Sequence, residues 1–236
     1  MGSVMFQRAR SEEQREVRRR AILDAATAML NEMPVGEVSL NELSRRVGLA
    51  KSNVLRYFES REAVLLELLD RAVRQWVAEV SDEVATEINS RRPARERGDQ
   101  LAAILSRSLA RHSVLCDLIG AQAGVLEHNV SVDVVLRHKR SARASLATLV
   151  DIVRRHVPEL GDGARNVCLM SVIIAGALWA HGRPSASTLA AYEADPTLTE
   201  LRLDLPTALH ATLTTLIAGT LAPSEACSVS ASQPAD

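Results

Sequence analysis

The sequence predicts an all-α protein, with a small three-helix unit at the N-terminus followed by a larger helical bundle. Apolar residues make up 47% of the 236 residues but aromatic residues only 3%, so the core must consist mostly of leucine, valine, alanine and isoleucine. Apolar positions recur at spacings of three and four, and no stretch alternates as a half-buried strand would. We expect about nine or ten helices.

The first helix is predicted from a cap, an apolar stripe and a break. The pattern SEEQ at Ser11 is a capping box, which places the helix start there. Apolar side chains then recur at helical spacing as far as Met33, and PVGE (34–37) ends the helix.

Two short helices follow, and their boundaries are predicted from local chemistry. SLNE (39–42) is a second capping box, in which Ser39 accepts a hydrogen bond from the backbone N–H of Glu42 and the Glu42 side chain reaches back. Gly48 supplies the left-handed conformation that ends this helix. A third helix is predicted over 51–58.

The body is predicted from apolar periodicity. Ser60 caps a long fourth helix that reaches about Asn89, and SRRPARERG (90–98) is predicted to be a linker. Further helices are expected near 99–112, 114–128, 132–156, 164–182 and 206–221, with a short one around 187–193. The chain is therefore predicted to consist of the N-terminal three-helix unit over 1–60, the helical body over 61–222 and a disordered tail over 223–236.

The charge distribution identifies a basic end of the chain, and the cysteine spacing argues against a disulfide framework or a zinc site. Residues 1–61 carry eleven Arg and Lys against eight Asp and Glu, so the N-terminal quarter is the basic end of a nearly neutral chain. Cys116, Cys168 and Cys227 are far apart and form no CxxC pair, which favours a reducing compartment over disulfides or a zinc site.

No membrane or secretion signal is evident, so we expect a cytoplasmic protein. The N-terminus lacks an apolar signal region. The apolar run 167–180 is too short to span a bilayer and is typical of a buried bundle helix.

Two short capped helices joined through VGLA form a helix-turn-helix pattern. A helix that enters the major groove needs buried residues on one side and donors on the other. Val54 and Phe58 are the predicted buried side. The predicted outward side chains are those of Lys51, Ser52, Asn53, Arg56 and Tyr57.

The residues flanking this motif suit a phosphate backbone. Ser39 offers a hydroxyl and a helix N-terminus to a phosphate, and Arg61 opens the next helix. The N-terminal arginines are either further DNA contacts or a solvated helix face; they are Arg8, Arg10, Arg15, Arg18, Arg19 and Arg20.

Residues 15 to 70 resemble the DNA-binding domain of the TetR family of bacterial transcriptional regulators. The resemblance lies in RRRAILDAATAMLNE, VSLNELSRRVGLAKSNVLRYF and ESREAVLLELL and in the spacing between them. It implies that Ser39 and Tyr57 contact phosphate, and that Arg61 replaces the usual phosphate-binding lysine. It also implies that base edges are approached by Asn41, Lys51, Asn53 and Arg56.

Three positions depart from the commonest pattern of that family. Ala50 replaces the usual Ser or Thr cap, Asn53 stands where Thr is frequent, and Leu55 replaces a usual tyrosine. Leu55 cannot donate to a phosphate but can touch a thymine methyl group. These departures affect the expected operator sequence and leave the expected fold unchanged.

The resemblance also implies a body that binds a small-molecule effector, of unknown identity, and pairs with a second subunit. The helices near 164–182 and 206–221 are rich in small residues and are the expected homodimer interface, which suits a palindromic double-stranded DNA operator. The expected pocket residues are Trp76, Cys116, Gly120, Gly124, Cys168 and Trp179.

Other interpretations of the body remain open at this stage. For the two tryptophans and the two glycines of GAQAG (120–124) core packing is the favoured alternative, and for the cysteines a role as small buried hydrophobes. In that case the body would only dimerise, or respond to redox chemistry. No motif supports catalysis, a metal or a cofactor, although an all-α enzyme or adaptor is a third alternative.

Overall fold

The structure is a computed structural model that describes residues 2–222, with side chains from residue 12 onward. The tail predicted over 223–236, which contains Cys227, lies outside the described residues, as do the side chains of Arg8 and Arg10. Every regular element within 2–222 is a helix, which confirms the predicted all-α fold class.

Ten α-helices occupy the described chain. They are α1 (Gly2–Glu32), α2 (Leu40–Val47), α3 (Lys51–Val54), α4 (Arg61–Glu87), α5 (Ala94–Arg111), α6 (Ser113–Ala121), α7 (Val132–His156), α8 (Gly163–His181), α9 (Ala186–Ala194) and α10 (Leu205–Leu221). A π-helical segment, Gln122–Leu126, continues α6 and divides the single helix predicted near 114–128.

The predicted start of the first helix and the predicted extent of the linker are wrong. α1 begins at Gly2 and passes through Ser11, because nothing between them interrupts helical hydrogen bonding. The linker predicted over 90–98 is shorter, since α5 already begins at Ala94. Gly98 lies inside α5 where α10 passes closely, and a Cβ atom there would lie 2.7 Å from the Leu221 side chain.

Apart from α9, the α-helices described share one apolar core that extends from the N-terminal unit into the body. α1 packs against α2 and α4, and α4 continues into the body against α5, α6 and α7. α8 packs against α6, α7 and α10, and α10 also covers α5. Because α4 belongs to both packing groups, it mechanically connects the N-terminal unit with the body.

The most apolar helix is incompletely covered. By length and composition α8 could cross a membrane, a test that core helices of soluble proteins also pass. Only 33% of its most apolar 18-residue window is buried, and Ile173 is 49% exposed. The chain itself therefore covers one side of α8 and leaves another side open.

Candidate functional site

The turn between α2 and α3 is held by the predicted cap and glycine. The Ser39 hydroxyl accepts from the backbone N–H of Glu42 at 3.1 Å, and Gly48 has φ +68° at the end of α2. The Glu42 side chain does not reach back as predicted. It accepts instead from Arg46 and Arg45, whose hydrogen bonds lower the pKa of the Glu42 carboxyl.

α3 ends earlier than predicted. Regular helix extends only to Val54, and residues 55–57 form a turn in which the backbone N–H of Tyr57 still donates to the Val54 carbonyl. The Tyr57 carbonyl accepts from Arg19 Nη1 at 2.8 Å, so a side chain of α1 anchors the end of this turn. At the other end, Ala50 provides no side-chain cap.

The predicted division of α3 into a buried and an outward side is visible in the side-chain exposures. Val54 and Phe58 are buried, Tyr57 is half-buried, and Leu55 is 41% exposed. The exposed polar side chains are those of Lys51, Ser52, Asn53 and Arg56. The turn thus presents amide, hydroxyl and cationic donors around one exposed leucine.

A cationic cleft lies beside α3. It has a volume of about 320 Å³ and is lined by Gln14, Arg15, Arg18, Arg56 and Tyr57. None of its three arginines forms an ion pair with a described residue. A cleft with this lining can bind an anion of phosphate type.

The remaining predicted phosphate contacts lie at helix N-termini. Ser39 precedes α2, and because its hydroxyl oxygen serves as an acceptor, its proton remains available for donation. Asn41 is exposed in the first turn of α2. Arg61 is half-buried at the start of α4, with Nε 3.4 Å from Glu62 Oε1.

Arg19 has a role that sequence analysis did not assign to it. Its guanidinium donates to the Tyr57 carbonyl, pairs with Glu67 of α4 and stacks 4.2 Å from the centre of the Phe58 ring. The helical spacing of α1 could have indicated this role. Residues 19, 22 and 26 share one helical face, and the latter two are buried, so Arg19 faces the core side of the helix.

An apolar cavity of about 350 Å³ lies in the body between α4, α6, α7 and α8. Its walls are mainly aliphatic side chains with one tryptophan; they include Leu69, Val73, Trp76, Val77, Ile119, Leu146, Leu149, Leu169, Val172 and Ile173. This volume and lining are typical of small-molecule sites.

Of the six predicted pocket residues, only Trp76 lines this cavity. Its Nε1 donates to Ser108 Oγ at 3.1 Å, which orients the ring. Cys116 and Cys168 are fully buried elsewhere, and burial raises the pKa of each thiol to about 12. A thiol with such a pKa is not activated, which favours the interpretation of these cysteines as small buried hydrophobes.

The glycines and Trp179 also lie outside the cavity. Gly120 of α6 meets Gly176 of α8 so closely that a Cβ on Gly120 would lie 2.9 Å from the Gly176 carbonyl oxygen. Gly124 has open space around it. Trp179 Nε1 donates to Asp117 Oδ1 at 3.2 Å, and the other Asp117 oxygen accepts from the backbone N–H of Val35.

A buried histidine separates the apolar cavity from a second cleft. His138 of α7 is 3% exposed, and its Nδ1 lies 2.8 Å from Asp70 Oδ1 on α4. Both residues line the apolar cavity and also a cleft of about 390 Å³ that reaches Tyr57 and Phe58 at the end of the α3 turn. The pair thus forms a polar partition between the body's cavity and the N-terminal unit.

No group of three or more histidine, cysteine, aspartate or glutamate side chains suited to a metal occurs among the described residues.

Two family models match the chain in succession. Residues 22–68 match the bacterial regulatory proteins of the tetR family, and residues 70–224 match the tetracyclin repressor-like C-terminal domain. The second match alone covers more than half of the sequence. The chain belongs to the TetR family.

Individual relatives agree with this assignment. The HTH-type transcriptional regulator EthR of Mycobacterium tuberculosis is 42% identical over 55 residues, which are 23% of this chain and 26% of EthR. The chain therefore spans about a quarter of the length of the curated relatives it matches.

Solved structures share the fold at low sequence identity. A TetR transcriptional regulator from Rhodococcus sp. RHA1 has a TM-score of 0.53 at 14% identity, over 89% of this chain and 97% of that chain. The fatty acid degradation regulator FadR from Bacillus halodurans has a TM-score of 0.50 at 15% identity, over 87% and 96% respectively. These likenesses concern the fold alone.

Membership has a direct consequence for the class of function. The family to which the chain belongs consists of transcriptional regulators, not enzymes. Homodimers and ligand responses are typical of the family.

Proposed function

We propose that this TetR-family chain is a cytoplasmic homodimeric repressor that binds a palindromic DNA operator and leaves it when a small molecule enters the body. The observation that carries the proposal is the α3 turn, whose outward polar side chains adjoin a cleft with three arginines that form no ion pair with a described residue. A surface of this kind combines base-edge donors with phosphate-binding cations.

Phosphate contacts position the protein. Ser39 and the N-terminus of α2 donate to one phosphate, and Arg61 at the start of α4 meets another. The Tyr57 hydroxyl, with Arg15 and Arg18, holds a phosphate in the cationic cleft. These contacts supply affinity that falls as salt concentration rises.

Base contacts come from α3 and from the first turn of α2. Amide, hydroxyl and cationic groups read donor and acceptor patterns in the major groove, and the exposed Leu55 meets a thymine methyl. The proposed base-reading polar residues are Asn41, Lys51, Ser52, Asn53 and Arg56.

Dimerisation uses the open side of α8 together with α10. Ile173 and Ala177 of α8 are exposed, as are Ala211 and Ala218 of α10, and small side chains allow a partner's helices to approach closely. One recognition helix reads few base pairs, whereas a two-fold dimer reads both halves of a palindrome.

Effector release follows from the partition between the two cavities. A ligand in the apolar cavity contacts Asp70 and His138, which also line the cleft below Tyr57. A ligand that fits only one position of α4 relative to α7 shifts the population towards that position. The proposed released state is one in which the two recognition helices no longer match both half-sites.

Operator binding is tested with Lys51→Ala. The operator is selected from a random DNA pool, and the dissociation constant is measured by fluorescence anisotropy at several salt concentrations. We expect an increase of about 5- to 150-fold, corresponding to about 1–3 kcal/mol for one base contact, with altered discrimination between sites. A uniform loss with a reduced salt slope would make Lys51 a phosphate contact instead.

The control is Arg91→Ala, which removes an exposed positive charge from the α4–α5 connection, away from α3. We expect operator affinity close to that of the unchanged protein. Failure of the unchanged protein to retain any DNA from the pool at low salt would contradict the proposed function.

The dimer is tested with Ala211→Arg, which places a long cation on the exposed face of α10. We expect monomers in sedimentation velocity and loss of palindrome binding. Ala190→Arg on the exposed α9 is the matched control and should remain dimeric. A dimer that persists in Ala211→Arg would show that the interface lies elsewhere.

A further inference from the structure

The charged groups around the apolar cavity differ in whether they are already paired. Its acidic lining residue, Asp70, is bound to His138 Nδ1 at 2.8 Å. The Lys139 ammonium lies 2.6 Å from Glu127 Oε1. The cavity's carboxylate and its lysine are therefore both compensated within the chain.

Arg143 of α7 and Arg165 of α8 are the exception. Both line the cavity and are exposed, and neither forms a hydrogen bond or an ion pair with a described residue. They lie on α7 and α8, which also supply leucines and other aliphatic side chains to the lining, so the cavity has an apolar interior and a cationic rim.

From this arrangement we propose that the effector is an amphiphile with one anionic head group and an apolar tail. The tail fills the space between α4, α7 and α8, where Trp76 and Leu149 are buried. The anionic head stays at the rim, partly hydrated, and accepts hydrogen bonds from Arg143 and Arg165. This inference rests on the proposed effector function.

Charge complementarity separates this ligand class from its alternatives. A cationic head would meet two unpaired arginines, and the carboxylate that could attract it is already bound to His138. A neutral ligand would gain the apolar contacts but leave both guanidinium groups without a partner. The tail supplies affinity and the head supplies selectivity between charges.

The test uses the full chain and three ten-carbon probes below their micelle concentrations: decanoate, decanol and decyltrimethylammonium. Binding is measured by isothermal titration calorimetry, and release from the selected operator by anisotropy. We expect decanoate to bind most tightly. Each methylene removed from the carboxylate should weaken binding about three- to fourfold, which is the change expected for one buried methylene.

Separate variants test which residues bind the head group and which bind the tail. Arg143→Gln combined with Arg165→Gln should weaken decanoate binding about tenfold and leave decanol unchanged. The matched control is Arg140→Gln, an exposed arginine of α7 that does not line the cavity. Leu146→Trp fills the cavity and should abolish binding of every probe that uses it.

The outcomes distinguish a failure of this inference from a failure of the proposed function on which it rests. If decanol or decyltrimethylammonium binds as tightly as decanoate and releases DNA, the charge inference is wrong and the effector function stands. If the double arginine variant binds decanoate normally, the inference is likewise overturned. If no probe binds while the operator is still retained, the inference fails, whereas the proposed DNA binding is upheld.

Discussion

The N-terminal unit and the body differ in how far along the sequence their decisive contacts reach. In the helix-turn-helix, Ser39 caps the N–H three residues later and Gly48 ends the same helix. In the body, the apolar cavity gathers side chains from Leu69 to Ile173 on four helices. The first region is organised by local chemistry, and the second by the packing of distant helices.

This difference has a consequence for function. The side chains proposed to face DNA are positioned by local contacts within the turn, so we expect changes at single outward positions to alter specificity and preserve the fold. The cavity depends on how closely α6, α7 and α8 approach one another, so changes in packing alter ligand binding and stability together.

If the body depends on close helix packing, the largest loss of stability is expected at the α6–α8 crossing. In Gly120→Ala the new Cβ would lie 2.9 Å from the Gly176 carbonyl oxygen, and a backbone atom cannot move aside as a flexible side chain can. We expect a loss of about 2 kcal/mol in the free energy of unfolding. Thermal unfolding should show it as a fall in Tm of about 2–4 °C per kcal/mol.

Gly124→Ala is the matched control, because it lies four residues away in GAQAG and has nothing within 4 Å of its Cβ position. Its Tm should stay close to that of the unchanged protein. Equal destabilisation by both substitutions would show that the crossing does not depend on a close approach at Gly120.

A smaller effect is expected where the two regions meet, at Arg19. Arg19→Met removes the hydrogen bond to the Tyr57 carbonyl, the ion pair with Glu67 and the stacking on Phe58. We expect a loss of about 1–2 kcal/mol by chemical denaturation, since a partly buried network is lost while the apolar stem is kept. Operator affinity should fall as well, because the α3 turn loses its anchor.

The control Arg20→Met changes an exposed neighbour on α1 and should leave the unfolding midpoint unchanged. If Arg20→Met and Arg19→Met lower stability equally, the loss comes from helix charge and not from the network around Tyr57.

Most helix positions could be predicted from the sequence, because caps and apolar periods are local signals. α7 has the predicted bounds, and the hydroxyl of Ser131 accepts from Val134 at its start. α3 was predicted to reach residue 58 but is regular only to Val54, and the turn that follows is anchored by the Arg19 side chain, 38 residues away from Tyr57. A contact over that separation has no signature within the segment itself.

The candidate site divides in the same way. The buried side of the recognition turn, Val54 and Phe58, follows from helical spacing, whereas the cavity lining does not. Gly120 suggested space for a ligand, yet it serves the approach of α8. His138 gave no signal, because its partner Asp70 lies 68 residues away on another helix.

The smallest effect is expected at the N-terminus of α3, which has no side-chain cap. Ala50 stands at the N-cap of α3 with φ −63° and ψ 146°, a backbone geometry that a capping serine also adopts. Ala50→Ser should stabilise α3 by about 1 kcal/mol, because the hydroxyl can accept from a free N–H of the first turn. Slower amide hydrogen exchange at residues 52 and 53 is the direct measurement.

The consequence for DNA binding depends on whether the operator itself orders α3. If α3 is ordered only on binding, part of the binding free energy is used to order it. Ala50→Ser then reduces this ordering cost and lowers the dissociation constant by up to about fivefold. Ala50→Val, which cannot cap, is the control and should bring no gain. Slower exchange without tighter binding would mean that α3 is fully formed before it meets DNA, so that the missing cap affects stability alone.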